Sequence, residues 1–372
     1  SLTPAAGSST GPKNQVFKYN NNKGDFMMKA IGFYQYLPVE DPSSLVEVEV
    51  PAPEPGGRDL LVRVKAVSVN PVDVKIRSRL KTVEAEPRII GWDVAGVVED
   101  IGSEVSLFKV GDEVYYAGDI SRPGCNSQLH LVDERIVGRK PTSLSFEQAA
   151  AMPLTTITAW EALFDRLGIE KTAPARQAQP SVLIIGGAGG VGSIAIQLAK
   201  KVAGCKVIAT ASREESAQWC RANGADEIIN HHKPFAEEFK RIGADEVDYI
   251  LCFNSTEKHI QNMADVIKPQ GKICTIVETK DSQPVNINLF QSKSVGFMWE
   301  LMFTRSLFKT PDMQAQHNLL NEAGRLLDEG ILKTTMTENY GPLTAENLRR
   351  AHGKIESGSM IGKLVLSGMS SH

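Results

Sequence analysis

Residues Ser181 to Gly192 read SVLIIGGAGGVG, a short apolar run from Val182 to Ile185 that leads into Gly187, Gly189 and Gly192. A buried strand that breaks into a glycine-rich turn and then opens a helix is what binding a dinucleotide requires. The first glycine permits the tight turn, the second lets a diphosphate approach the backbone, and the third lets the helix pack close to the strand. The helix then presents its amide-lined, positive end to the phosphates. A lone GxGxxG also occurs as a purely structural turn. Here Val191, Ile194, Ala195, Leu198 and Ala199 form one apolar helical stripe directly after it, which favours the nucleotide reading. Gly187, Gly189, Gly190, Val191 and Gly192 are therefore the expected phosphate-side contacts.

The choice of dinucleotide is made about twenty residues further on, where a carboxylate would accept hydrogen bonds from the ribose hydroxyls of NAD. The second strand, Lys206 to Ala211, ends instead in Ser212 and Arg213. A hydroxyl and a guanidinium suit a 2′-phosphate, whereas a carboxylate would repel it, so NADP is expected over NAD. The competing reading makes Arg213 a solvated residue at the start of the next helix, beside Glu214 and Glu215.

With 372 residues, 42% hydrophobic content and a formal charge of -3, the chain can bury a full core, and two domains are expected. That charge balance points away from nucleic acid and from anionic membranes. No apolar stretch reaches membrane-spanning length, and the N-terminus lacks the apolar segment of a signal peptide. Cys125, Cys205, Cys220, Cys252 and Cys274 are scattered and odd in number, which reads as reduced thiols in a cytoplasmic protein.

Residues 1 to 26 are rich in Ser, Gly, Asn and Lys and read as a disordered or added leader. Strands are expected at Lys29 to Tyr34, Leu45 to Val50, Leu60 to Val69, Val94 to Ile101 and Glu113 to Tyr116, giving a β-rich lobe. Helices follow at Glu147 to Ala151 and Thr156 to Leu167. Alternating strands and helices then run through Ile273 to Val277, the pattern of a parallel, doubly wound sheet. Thr172 to Pro180 reads as an exposed loop.

Several segments in this order resemble the medium-chain dehydrogenase/reductases, and specifically the zinc-free quinone oxidoreductase branch. They are VSVNPVDVKIR (Val67 to Arg77), GWDVAGVVEDIG (Gly91 to Gly102), VGDEVY (Val110 to Tyr115), Thr158-Ala159, the glycine turn, and IGKLVL near the end. The resemblance implies an α/β protein with a GroES-like β-rich catalytic domain and a Rossmann domain of doubly wound parallel sheet inserted into it. The expected boundaries are a leader at 1–27, a first catalytic part at 28–152, the NADP domain at 153–312 and a returning catalytic part at 313–372. The active site would lie in the cleft between the two domains.

Zinc-dependent relatives place a Cys in the segment held here by Val69 and Asn70, and a His-Glu pair where this chain has Trp92-Asp93. A catalytic zinc needs about three protein ligands, and Trp92 is not one. The four closely spaced cysteines of a structural zinc lobe are missing too, so no metal is expected, and Asp93 is assigned a structural or hydrogen-bonding role. Without a Lewis acid an isolated carbonyl is harder to reduce. A quinone or an α,β-unsaturated carbonyl is easier, because the charge left by hydride addition spreads into a phenolate or enolate that hydrogen-bond donors can stabilise.

By resemblance, Asn70 lies beside the nicotinamide and the substrate oxygen and counts as both catalytic and cofactor-binding. Lys75 stands where many relatives carry a tyrosine, and either delivers a proton or points to solvent. Thr158 approaches the nicotinamide. Phe253 and Asn254 end the fourth strand of the nucleotide domain, Ile276 and Val277 the fifth, and such strand ends line the binding crevice of a doubly wound sheet. His231 either meets the adenosine phosphate or is a solvated loop residue; Lys363 either reaches the cofactor phosphates or is an ordinary strand-end lysine. Phe297, Met298, Trp299, Met302 and Phe303 read as core, with part of the cluster available to a cleft or subunit contact. Val295 to Trp299 is a candidate sixth, edge strand, through which a homodimer is expected. The leading expectation is an NADPH-dependent, zinc-independent quinone or enone reductase. An alcohol or aldehyde dehydrogenase of the same ancestry and a non-catalytic NADPH-binding protein are the alternatives.

Overall fold

The computed structural model describes residues 26–171, 179–280 and 282–370. Most of the leader and most of the Thr172 to Pro180 loop lie outside the described residues. The first half of the chain supplies β1 (Met27–Gly32), β2 (Val46–Pro51), β3 (Asp59–Ser68), β4 (Val94–Ile101), β5 (Glu113–Tyr116), β6 (Leu129–Asp133) and β7 (Val137–Arg139). β1 and β2 form an antiparallel pair of their own, and β3 to β7 build an antiparallel sheet. β3 is its centre, pairing with β4 and β6, and its residues Leu60, Val62, Val64 and Ala66 are buried while Lys65 is exposed.

The second sheet starts at the glycine turn. β8 (Ser181–Ile185), β9 (Lys206–Thr210), β10 (Glu227–Ile229), β11 (Val247–Cys252), β12 (Ile267–Thr275) and β13 (Gly296–Trp299) form six parallel strands in the order β10-β9-β8-β11-β12-β13. The run expected at Val295 to Trp299 is thus the edge strand, beginning one residue later. Successive crossovers run from β8 outward to β10 and then back across it to β11, which opens a crevice at the carboxyl ends of β8 and β11. The strands there, such as Val182 to Ile185, are buried on both faces and so show no alternation.

After β13 the chain returns to the first sheet. The helix Ala315–Asp328 packs on β7, with the Tyr115 hydroxyl donating to the Leu320 carbonyl and His317 bonded to the Val137 carbonyl. β14 (Met336–Pro342) and β15 (Lys363–Ser367) extend that sheet to seven strands, with β15 antiparallel to β3. The C-terminal IGKLVL segment is thereby placed against the segment that precedes Asn70. The fold is GroES-like plus Rossmann-type. Among the described residues no helix is long and apolar enough to cross a membrane.

Candidate active site

At the carboxyl end of β8 the turn has the geometry of a phosphate cradle, though its labour is divided differently from the sequence expectation. The left-handed backbone belongs to Gly186, at φ +85°, one residue ahead of the motif. Gly187 is required by packing instead: a Cβ there would lie 2.9 Å from Ala209 Cβ and 3.0 Å from Cys220 Sγ. At Gly192 a Cβ would collide with the Gly186 carbonyl oxygen and stand 2.7 Å from the Gly187 carbonyl carbon, so the third glycine does bring helix and turn together. Gly189 has room, its nearest atom for a Cβ being the Gly186 oxygen at 3.7 Å. Gly189 caps the helix Gly190–Gln197. The amides of Gly190, Val191 and Gly192 form its first turn and have no acceptor within the helix, which fits a diphosphate.

Towards the expected adenosine end, Gly186 N–H donates to Thr210 Oγ1 (3.0 Å), which lies 3.1 Å from His231 Nδ1. Burial, and then His232, holds the His231 pKa below its ordinary value, so the ring is a neutral hydrogen-bonding group here. Ser212 and Arg213 are exposed at the end of β9. Among the described residues no carboxylate pairs with Arg213, whose Nη2 makes a long contact (3.4 Å) to the Ser359 carbonyl. Glu214 and Glu215 follow it on the helix without engaging it.

The other strand ends converge on the same turn. Phe253 N–H donates to the Ile185 carbonyl (3.0 Å), and a Cβ on Gly186 would touch Asn254 Cβ at 3.4 Å. Ile276 N–H reaches the Cys252 carbonyl, and Thr256 Oγ1 donates to the Val277 carbonyl (2.8 Å). Thr158 is buried in the helix Pro153–Trp160, where its hydroxyl bonds back to the Leu154 carbonyl at 2.8 Å.

Asn70 caps the helix Pro71–Arg79, with an extended backbone imposed by the following proline. Its N–H is taken by Asp73 Oδ2 (2.8 Å), the carboxylate three residues on. Its side chain turns the other way, donating through Nδ2 to Asp93 Oδ2 (2.8 Å) and accepting at Oδ1 from the Lys363 ammonium. Lys363 Nζ also pairs with Asp93 Oδ2 at 2.9 Å, and Asp93 Oδ1 accepts the Leu154 N–H at 2.8 Å. All four side chains are buried.

Burial raises both carboxyls, and Asp73 reaches about 7 despite the Asn70 backbone hydrogen bond that lowers it. Three donors converge on Asp93, whereas Asp73 Oδ1 has no partner. Lys363 and the converging donors favour the ionised form of Asp93, while burial favours the protonated form of Asp73.

Lys363 is thus neither a solvated strand-end lysine nor directed along the phosphate cradle. Its stem passes Gly190, where a Cβ would meet Lys363 Cδ at 2.8 Å, and its ammonium ends on Asn70 and Asp93. Lys75 is not brought to this group: Asp73 and Arg77 occupy the inward face of the helix, and Lys75 is exposed. Asp93, assigned only a supporting role from sequence, is the hub. The available signal was an acidic residue inside the apolar run GWDVAGVV.

A zinc ion does not suit these residues. Trp92 and Asn70 occupy the ligand segments, and the Lys363 ammonium already holds Asp93. Trp92 packs edge-on against Phe303, at 6.4 Å between ring centroids. Met302 and Phe303 are buried as expected of core, while Trp299 is half exposed.

Comparison with known proteins agrees with this geometry at the level of family. Family models described as an alcohol dehydrogenase GroES-like domain and a zinc-binding dehydrogenase match residues 56–161 and 190–339. A zinc-type alcohol dehydrogenase-like protein of Staphylococcus epidermidis is 43% identical, covering 91% of this chain and 99% of its own. The 2-methylene-furan-3-one reductase of Solanum lycopersicum is 37% identical over 91% of this chain and 79% of its own, and the quinone oxidoreductase of Rattus norvegicus 30% over 92% and 98%. Among solved structures, an alcohol dehydrogenase protein of Rhizobium etli, provisionally classed as zinc-dependent, superposes with a TM-score of 0.88 at 49% identity, covering 93% and 99% of the two chains. Escherichia coli quinone oxidoreductase, solved with NADPH, gives 0.74 at 26%, covering 91% and 99%. The chain belongs to the medium-chain dehydrogenase/reductase superfamily and is an oxidoreductase of that family.

Proposed function

We propose that this protein is an NADPH-dependent, zinc-independent reductase of quinones or α,β-unsaturated carbonyls, cytoplasmic and homodimeric, with its catalytic lobe at 28–152 and 313–372 and its NADP lobe at 153–312. The observation that carries the reading is the site's charge: a buried ammonium and an amide stand where a metal-dependent enzyme needs anionic or imidazole ligands. Relatives that bear on it are the tomato furanone reductase and the rat and Escherichia coli quinone oxidoreductases.

In this reading the amides of Gly190, Val191 and Gly192 hold the diphosphate, with Gly187 shaping the turn and Gly189 leaving room for the diphosphate to approach. Ser212 and Arg213 take the 2′-phosphate, and His231 supplies a neutral contact beside the adenosine. Thr158, Phe253, Asn254, Ile276 and Val277 border the nicotinamide. Bound NADPH supplies a hydride to the acceptor, leaving a phenolate or enolate oxygen to be stabilised. Asn70 is the donor group for that oxygen or for the nicotinamide ribose, polarised by Asp93 and Lys363. Lys75 is exposed and stands apart from this group, so the proton that an enolate carbon requires comes from water.

The test is steady-state NADPH oxidation against a panel of quinones and enones, before and after chelation. Turnover that resists chelators is expected, and Asn70→Ala should lower kcat/KM by about tenfold or more, a loss of about 1–3 kcal/mol. Lys75→Met should leave turnover of enones and quinones alike within about twofold, and a loss confined to enones would return the proton-delivery role to Lys75. Activity lost on chelation and restored by zinc would favour an alcohol or aldehyde dehydrogenase. No turnover with any acceptor would leave a non-catalytic NADPH-binding protein.

A further inference from the structure

We propose that Asp93 is a positioning residue that locks the Asn70 amide in one orientation, and that it does so together with Lys363. This rests on the reading of Asn70 given above. A carboxylate only accepts hydrogen bonds and an ammonium only donates them. The amide between them, 2.8 Å from Asp93 Oδ2 and bonded to Lys363 Nζ, must therefore point its NH2 at the one and its oxygen at the other. A flipped amide would set oxygen against carboxylate and NH2 against ammonium, both repulsive. The lock leaves Asn70 one free N–H and one free lone pair for a ligand, each in a fixed direction.

The same carboxylate reaches further. Asp93 Oδ1 accepts the Leu154 N–H at 2.8 Å, and Leu154 lies in the first turn of the helix that carries Thr155 and Thr158. A Cβ on Gly190 would touch Thr155 Cγ2 at 3.2 Å and Lys363 Cδ at 2.8 Å, so Lys363 and the residue that follows Leu154 both border the start of the helix Gly190–Gln197. The helix Pro71–Arg79, β15 and the helix Pro153–Trp160 are thus joined at one buried carboxylate standing just ahead of β4. Among the described residues, Asp73 and Cys125 are the other titratable groups that interact with it.

Asp93→Asn discriminates sharply, because an amide has one oxygen. It cannot serve Leu154 N–H with one atom and both Asn70 and Lys363 with another, and its own NH2 must face one of these donors. The experiment compares the unmodified protein, Asp93→Asn, Asn70→Ala and the double variant, measuring NADPH affinity and kcat and KM for a quinone. Asp93→Asn should lower kcat about tenfold or more while NADPH affinity changes by less than about threefold. The double variant should be no worse than Asn70→Ala by more than about twofold, since residues acting through one another are non-additive.

Additive losses, or unchanged kcat with only a lower melting temperature, would overturn the proposal. A second readout is independent of turnover. In protein labelled with 15N-asparagine, the Asn70 NH2 signals, assigned by their loss in Asn70→Ala, should form one pair that moves or doubles in Asp93→Asn and in Lys363→Met. Signals unmoved by both substitutions would refute the lock. A protein that turns over no quinone or enone yet shows these shifts would refute the proposed reaction and leave the lock standing.

Discussion

The turn at Gly186 to Gly192 allows the demands of folding and of cofactor binding to be separated by single methyl groups. Gly189 has φ -70° and ψ -179°, a conformation that any residue adopts, and a Cβ there would touch protein only at 3.7 Å. Gly189→Ala should therefore leave folding intact, or stabilise it by about 0.4–1 kcal/mol by restricting the unfolded chain. At Gly192 a Cβ would press on backbone atoms at 2.7 Å or nearer, against an ordinary contact of 3.4–4 Å, so turn and helix must move apart by about an ångström or more. Overpacking of that kind costs about 1–3 kcal/mol, and Gly192→Ala should lower the melting temperature. If the diphosphate lies against Gly189, the same methyl group stands in its approach. A comparable loss of about 2 kcal/mol in binding is about thirtyfold in the NADPH dissociation constant. Calorimetric titration with NADPH, alongside thermal unfolding, reads both quantities. Unchanged NADPH affinity in a fully stable Gly189→Ala protein would refute the assignment of Gly189 to the diphosphate and reduce its glycine to chance.

Arg213→Ala should remove most of an expected preference for NADPH over NADH of about tenfold, or about 1.4 kcal/mol, while leaving NADH affinity nearly unchanged; equal affinities in the unmodified protein would refute the 2′-phosphate role. Glu300 is pushed up to about 10, first by burial and then by the charge of buried Glu161, while its ordinary value is 4.5. Between those values the folded state binds the extra proton, so stability falls as pH rises, by at most about 1.4 kcal/mol per unit. Asp73, raised to about 7, contributes in the same direction only at lower pH. The melting temperature of Glu300→Gln should therefore fall less steeply than that of the unmodified protein between about pH 7.5 and 9; parallel curves would mean that Glu300 is ionised when folded. Sedimentation should show a homodimer paired through the edge strand β13, weakened by Trp299→Glu, and a monomer in the unmodified protein would refute that pairing.

What the sequence made legible was what the chain encodes locally. The strand, glycine turn and helix from Ser181 to Gln197 are contiguous, and their apolar spacing and their glycines state their geometry directly. Even there, the expectation gave the tight turn to Gly187, whereas the left-handed conformation belongs to its neighbour. Gly186 takes it, because Gly187 is the one wedged between Ala209 and Cys220. The alternation of strands and helices likewise fixed a parallel sheet, because parallel neighbours need a crossover.

The centre of the site was less legible, since its members lie far apart: Lys363 is 293 residues from Asn70 and 270 from Asp93. Strand periodicity carried no warning, because β15 runs between β14 and β3 and Lys363 to Leu366 are all buried, so the lysine does not stand out as the odd member of an alternating pattern. Glu161 and Glu300 show the same limit, each unremarkable in its own helix or strand end and mutually costly only once folded together. What does survive in the sequence is a penalty without a visible compensation, as with Asp93 in GWDVAGVV. A charge placed in an apolar run must find partners elsewhere in the fold, and here those partners are Asn70, Leu154 and Lys363. Because one carboxylate answers to all three, the orientation of the Asn70 amide follows from the position of Asp93 and Lys363 rather than from the helix that Asn70 caps.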